Sequence, residues 1–256
     1  MVFVDTHTHL YLDEFDEDRE KVLKNAFDKK VNYLLFPNVD TTTIDKMLEV
    51  CSIRPDNYFP MLGLHPSSVK NNYKNDLEKL EEYFLKNKFY AIGEIGIDLY
   101  WDKTFIKEQE IVFKHQILLA EKYDLPVVIH SRNSFNEIYN ILLENKNLNL
   151  RGVFHCFTGT LEQAEKIIAL GFKLGIGGVV TFKNSGLDRV VKEIDLKNIL
   201  LETDSPYLTP VPFRGKRNES ANIYYIAKKI AEIKNFSLEQ IAQATTNNAV
   251  ELFKFI

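Results

Sequence analysis

Six histidines stand in this chain, at positions 7, 9, 65, 115, 130 and 155. Two of them are one residue apart in the opening stretch VFVDTHTHL. On an extended strand, residues i and i+2 point to the same side, so His7 and His9 face one way together, as two ligands of one metal would. His130 ends the run LPVVIH, His155 ends GVFH, Glu94 ends YAIGE and Asp204 ends LLETD. Imidazoles and carboxylates suit zinc, manganese or a similar divalent cation. His7, His9, Glu94, His130, His155 and Asp204 are too many for one catalytic zinc, which usually keeps about three protein ligands and an open position. Shared between two ions ~3.5–4 Å apart they are enough, with Glu94 the candidate to bridge the pair.

Such a set needs elements that bring distant residues to one place. Eight short apolar runs, from VFVDTH to NILLETDSP, alternate with amphipathic stretches of helical period. Among the latter are DREKVLKNAFDKK, DLEKLEEYFLK (Leu77, Leu80, Phe84 and Leu85 inward) and KEQEIVFKHQILLAEKY (Ile111, Phe113, Leu118 and Leu119 inward). Near-continuous apolar strands, each followed by a helix, predict a parallel sheet covered on its outer face. Eight such units in 256 residues predict an α/β fold of the (β/α)8 TIM-barrel type, one domain over residues 1–256. The glycine fingerprint of an open doubly wound sheet is absent after the first strand. Two last helices, near 220–234 and 237–254, follow the eighth strand. In a barrel the C-terminal strand ends form one rim, where active sites are built. Every histidine except His115, expected on a helix surface, falls at or just past such an end.

The composition is ordinary for a globular protein, with 45% hydrophobic and 27% charged residues. The net charge of −4 argues against a non-specific nucleic-acid coat, so any grip on phosphate must be local. Cys51 and Cys156, expected as inert packing residues, suggest no disulfide framework. No signal-peptide pattern or membrane-length apolar stretch is present. A cytoplasmic protein is expected, with no membrane association and no stable protein partner.

The motifs DTHTHL, GLHP, GEIGID, HSR, HCFTG, ETDSP and RGKRNE occur in this order across the chain. Together they resemble the TatD family of metal-dependent hydrolases, within the amidohydrolase-like group. The resemblance implies a TIM barrel with two divalent metal ions (Mg, Mn or Zn) and phosphodiester hydrolysis. It implies a deoxyribonuclease, a 3′–5′ exonuclease, acting on DNA 3′ ends or single strands. By matching position, His7, His9, Glu94 and Asp204 would surround the first metal, and Glu94, His130 and His155 would hold the second. His65, in GLHP, would lie beside the reacting phosphate. The chain departs from the family pattern at Ser134, Glu137 and Ser220, none of them a ligand.

In that chemistry a water attacks phosphorus in line, Asp204 orients the water and accepts its proton, and His65 protonates the leaving group or hydrogen-bonds a phosphate oxygen. Glu202 shares a strand face with Asp204 but lies deeper, as a support for a ligand histidine. Asp5 stands in the same relation to His7, with a floor residue tied to backbone as the other reading. Arg132, Arg214, Lys216 and Arg217 are the candidate phosphate contacts, and Tyr100 and Trp101 could stack on a base. The alternative is an amidohydrolase-like enzyme for a small ester, lactone, amide or phosphoester. Relatives of that kind often bridge their metals with a carboxylated lysine on the fourth strand, where this chain has Glu94.

Overall fold

A computed structural model describes all 256 residues. Eight parallel strands run through the chain: β1 (Phe3–Asp5), β2 (Val31–Pro37), β3 (Tyr58–Met61), β4 (Ile92–Asp98), β5 (Val127–Arg132), β6 (Gly152–Phe154), β7 (Lys173–Ile176) and β8 (Ile199–Leu201). Their ladders make two arcs, β1-β2-β3 and β4-β5-β6-β7-β8. Parallel bridges between Leu62 and Ile92 and between Thr8 and Ser205 join the arcs at both seams. The barrel therefore closes, with bonds such as Thr6 N–H to the Leu201 carbonyl at 3.0 Å and Asp204 N–H to the His7 carbonyl at 2.9 Å.

Nine helices surround or follow the strands: α1 (Arg19–Asp28), α2 (Ile44–Ser52), α3 (Tyr73–Lys86), α4 (Ile106–Lys122), α5 (Phe135–Glu144), α6 (Leu161–Ala169), α7 (Leu187–Glu193), α8 (Ile223–Lys234) and α9 (Leu238–Phe253). Local chemistry sets several ends. Thr160 with Gln163, and Ser237 with Gln240, form capping boxes that open α6 and α9. Asn235 and Lys254 end α8 and α9 in the left-handed region. The penultimate helix begins a turn later than its periodicity suggests, because residues Ser220–Asn222 form a 3-10 turn.

Two apolar clusters result. The larger lies between strands and helices and includes Phe3, Leu34, Ile95, Ile129, Phe154 and Ile176. The smaller takes Val4, Leu35, Phe59, Met61, Ala91, Val128, Val153 and Leu200 from seven strands or their lead-ins, together with Ala249, Leu252, Phe253 and Phe255. It is the barrel interior, and α9 with the residues after it seals the floor. Three expected inward residues are instead exposed: Leu85 at 79%, Ile111 at 51% and Leu118 at 50%. On α4 the inward stripe runs through Val112, Phe113, Gln116, Ile117 and Ala120, with two glutamines in place of aliphatic residues. Those glutamines hold backbone at the rim: Gln116 bonds both the N–H and the carbonyl of Leu64, and Gln109 does the same at Asp98.

Candidate metal centre

The interior rows of β5, β6 and β8 continue directly into the site. Val128, Val153 and Leu200 face the interior, so two residues on His130, His155 and Glu202 face it too. β1 and β4 arrive differently. β1 ends at Asp5 and the chain bends at Thr6 and His7, which turns His7 inward although Val4 already faces that way. The β4 register shifts between Ile92 and Ile95, and Glu94 enters the site from within that irregularity.

Glu94 is the centre of what results. Its Oε2 lies 3.2 Å from His7 Nε2 and 4.0 Å from His9 Nε2. Its Oε1 lies 2.8 Å from His130 Nδ1, 3.4 Å from His65 Nε2 and 3.7 Å from His155 Nε2. Asp204 faces the first group, with Oδ1 at 3.6 Å from His9, 3.8 Å from His7 and 3.9 Å from His155. The rings of His7 and His155 stack at 3.5 Å. Four groupings of possible ligand atoms follow: His7, His9 and Glu94; His7, His155 and Asp204; His65, Glu94 and His130; and, behind His155, a set of His155, Cys156 and Glu202. All six residues expected as ligands, and His65 with them, therefore meet at one place.

The donor set fits divalent cations. Two ligand atoms each ~2.0–2.1 Å from one ion lie roughly 3–3.5 Å apart, and the spacings around Glu94 bracket that range. His7 Nδ1 is buried and has no hydrogen-bond partner in the protein.

Supporting contacts orient the ligands. Asp98 accepts from His130 Nε2 at 2.9 Å, which leaves Nδ1 for the side of Glu94. The same carboxylate accepts the backbone N–H groups of Tyr100 and Trp101. Glu202 lies 3.1 Å from His155 Nδ1 and accepts the Cys156 N–H. Gly175 makes room for it, since a Cβ there would sit 2.2 Å from Glu202 Oε2. Tyr11 Oη is 3.1 Å from His9 Nδ1. The Asp5 carboxylate contacts no ring. It accepts from the His7 N–H, the Thr203 N–H and hydroxyl and the Ser220 hydroxyl, and so ties the end of β1 to the segment after β8. His65 is held by Ser67, whose backbone N–H donates to Nδ1 at 3.1 Å. Nδ1 is then an acceptor, and the proton of the neutral ring sits on Nε2, which points into the site.

Charge in the site follows from burial and these pairs. Burial holds His7 neutral, with its pKa down at about 4, and lowers that of His65. Burial works against charge on His155 as well, but Glu202 and Glu94 outweigh it and raise its pKa to about 10. Asp98 and Glu94 raise His130 to about 8 in the same way. Against the burial of Glu94, His65, His155 and His7 keep it ionised, with a lowered pKa. Burial raises Asp5 to about 7 despite its hydroxyl partners.

The cations divide into two kinds. Arg217 is bound to Asp18 at 2.7 Å and to Glu219 at 3.3 Å, and it fastens the loop after β8 to the segment before α1. Arg132 and Arg214 have no acidic partner. The Arg132 guanidinium lies 4.0 Å from the ring centre of Tyr100 and 5.2 Å from that of Trp101. Arg214 lies 3.8 Å from the ring centre of Phe182. Lys216 is exposed in the same loop as Arg214. His115, on α4, pairs with Glu81 at 3.0 Å, far in sequence from any ligand. Sequence reasoning gave no place to Asp98, Tyr11, Gln109 or Gln116. The available signal was position: Asp98 stands four residues past Glu94, and Tyr11 two past His9.

No helix is long and apolar enough to cross a membrane. The sequence profile of the family described as TatD related DNase matches residues 4–254. The metal-dependent hydrolase YabD of Bacillus subtilis is 40% identical over 251 residues, covering 98% of both chains. The metal-dependent hydrolase YjjV of Escherichia coli is 33% identical, over 98% of this chain and 97% of its own. The crystal structure of YjjV, a TatD homolog, superposes with a TM-score of 0.92 at 31% identity, covering 98% of each chain. A TatD-family hydrolase from Entamoeba histolytica shares the fold at a TM-score of 0.84, with 24% identity over 100% of this chain and 99% of that one. A closed eight-stranded barrel, a buried carboxylate ringed by five imidazoles, and these likenesses over the whole length place the chain in the TatD family of metal-dependent hydrolases.

Proposed function

We propose that the chain is a phosphodiesterase of DNA, a deoxyribonuclease that removes nucleotides from 3′ ends or single strands. The observation that carries the reading is the pair of unpartnered arginines at the mouth of a site built for cations. The two guanidiniums lie over the rings of Tyr100 and Phe182 and have no acidic partner, which leaves N–H groups for phosphate oxygens. They arise from the loops after β5 and β8, so a polyanion crossing the mouth meets positive charge on two sides despite the net charge of −4.

His7, His9, Glu94 and Asp204 would hold one divalent ion, and Glu94, His130 and His155 a second. Such ions polarise a phosphoryl oxygen and make water a better nucleophile near neutral pH. The chain's own groups do the rest. Asp204 orients the attacking water and takes its proton. His65 presents Nε2–H toward the leaving oxygen, and Ser67 fixes that tautomer. Glu202 and Asp98 keep His155 and His130 in register. Arg132 and Arg214, with Lys216, grip the flanking phosphates.

The test uses end-labelled single- and double-stranded DNA with Mg, Mn, Zn or a chelator, beside the Glu94→Gln variant. Shortening that needs metal and fails in the variant supports the reading. Intact DNA under every metal, with turnover of a small ester, lactone or phosphoester, overturns it in favour of a small-molecule hydrolase.

A further inference from the structure

A cavity of about 390 Å³ opens between the loop joining β5 to α5 and the loop joining β6 to α6. It stands at the C-terminal rim, and His155 and Cys156 form part of its wall. Nothing in the chemistry above uses it. Its volume lies within the ~300–1,000 Å³ usual for small-ligand sites.

Its walls are mixed. Phe135 and Phe157 supply flat apolar surface, while Asn136, Glu137 and Thr158 supply amide, carboxylate and hydroxyl groups. None of these three side chains makes a hydrogen bond or ion pair inside the chain. An aromatic wall facing unspent amide and carboxylate groups matches a planar heterocycle with donors and acceptors on its edge. The cavity adjoins a ligand histidine on one side, and Arg132 lies between its lining residues Ser131 and Asn133 on the other. A base seated there would carry its phosphate on the side that His155 shares with the cation site.

We infer that this cavity seats the unpaired nucleobase of the nucleotide next to the cleaved bond, an assignment that rests on the nuclease reading above. Base recognition then comes from the α5 and α6 loops, and phosphate recognition from Arg132 and Arg214. A base that remains in a duplex cannot enter, so the terminal pair must open before cleavage.

The test compares single-stranded oligonucleotides that differ only in the nucleotide at the cleaved end, one intact and one abasic, with the full-length protein and Mn²⁺. Two variants fill the cavity from opposite walls, Asn136→Trp and Thr158→Trp. The parent protein is expected to favour the intact end by about 10- to 100-fold in kcat/KM, mostly through KM. Both variants are expected to take up Mn²⁺ in calorimetry as the parent does, and to lose that discrimination. If one variant does not fold, the other carries the test. A parent that cuts both oligonucleotides alike, or folded variants that still discriminate, overturns the inference and leaves the nuclease reading standing. A parent that binds Mn²⁺ yet cuts neither oligonucleotide removes the nuclease reading itself, and this inference with it.

Discussion

The absence of a side chain at Gly175 is what lets Glu202 stand behind His155. Glu202 is 1% exposed and supports His155 from 3.1 Å. Its other oxygen fills the space where a side chain at position 175 would begin. In Gly175→Ala the new methyl would stand 2.2 Å from Oε2 and 2.7 Å from Cδ. Relief to ordinary contact needs a shift of roughly 1 Å, which draws the carboxylate away from the Nδ1 that it faces at 3.1 Å. Loss of such a support typically costs 10–100-fold in metal affinity or activity, equivalent to about 1.4–2.7 kcal/mol. Overpacking adds a stability cost of about 1–3 kcal/mol, or roughly 2–12 °C in Tm at this chain length. The assay is Mn²⁺ titration by calorimetry, with thermal unfolding of the metal-free protein alongside. Glu202→Gln keeps the volume, removes the charge, and should weaken metal binding to a similar extent without the packing penalty. A folded Gly175→Ala protein that binds Mn²⁺ as tightly as the parent would refute the link from Gly175 through Glu202 to His155.

Four further outcomes are expected. Glu94→Gln should lose metal uptake more completely than Asp204→Asn, because Glu94 stands within 4.0 Å of five imidazoles and Asp204 of three, none closer than 3.6 Å; chelator-stripped protein titrated with Mn²⁺ decides this. His65→Gln should keep metal uptake but lower kcat by about 10²–10⁴-fold, and an equal loss of metal affinity would instead make His65 a ligand. Metal uptake near pH 7 should release protons, because His130 and His155, raised to about 8 and about 10, are protonated there and must deprotonate to ligate. Affinity should therefore fall as pH drops below about 10, by up to tenfold per unit, and more steeply below about 8, where a second proton is displaced; calorimetry in buffers of different ionisation enthalpy measures it, and pH-independent uptake would contradict the assignment. Asp5→Ala should cost about 2–4 kcal/mol in urea unfolding, since it leaves the Thr203 N–H and two hydroxyls without their acceptor in a dry interior.

The barrel was legible because its eight strands are short, apolar and parallel, and each hands the chain to an amphipathic helix. The rim was legible for β5, β6 and β8, where interior residues two positions earlier set the direction of His130, His155 and Glu202. Strict alternation would have failed at the other two sources of ligands. Counted from Val4, His7 would face outward, and only the bend after Asp5 brings it in. Glu94 depends in the same way on the register shift in β4. Neither departure has a periodic signature, and the match of motifs to the family supplied what counting could not. Asp98 stayed unplaced because its position depends on Gln109, a side chain from a helix that reads as amphipathic without revealing which polar residues turn inward. Leu85, Ile111 and Leu118 show the same weakness from the apolar side: helical spacing allows more than one stripe, and the sheet beneath selects one. Arg217 reads as a free cation until Asp18, 199 residues away, is beside it.

The plug at the bottom of the barrel bears on how the chain is made. Leu252, Phe253 and Phe255, which cover Val4 and Leu35, stand more than 200 residues after them in the chain. Contacts of such long sequence separation slow folding, and until they form the half-built cylinder exposes a greasy hole to any chaperone that meets it. A nascent chain arrested before residue 249 should therefore be captured by holdases and cleaved readily by protease, and release of the final turn of α9 should end both at once.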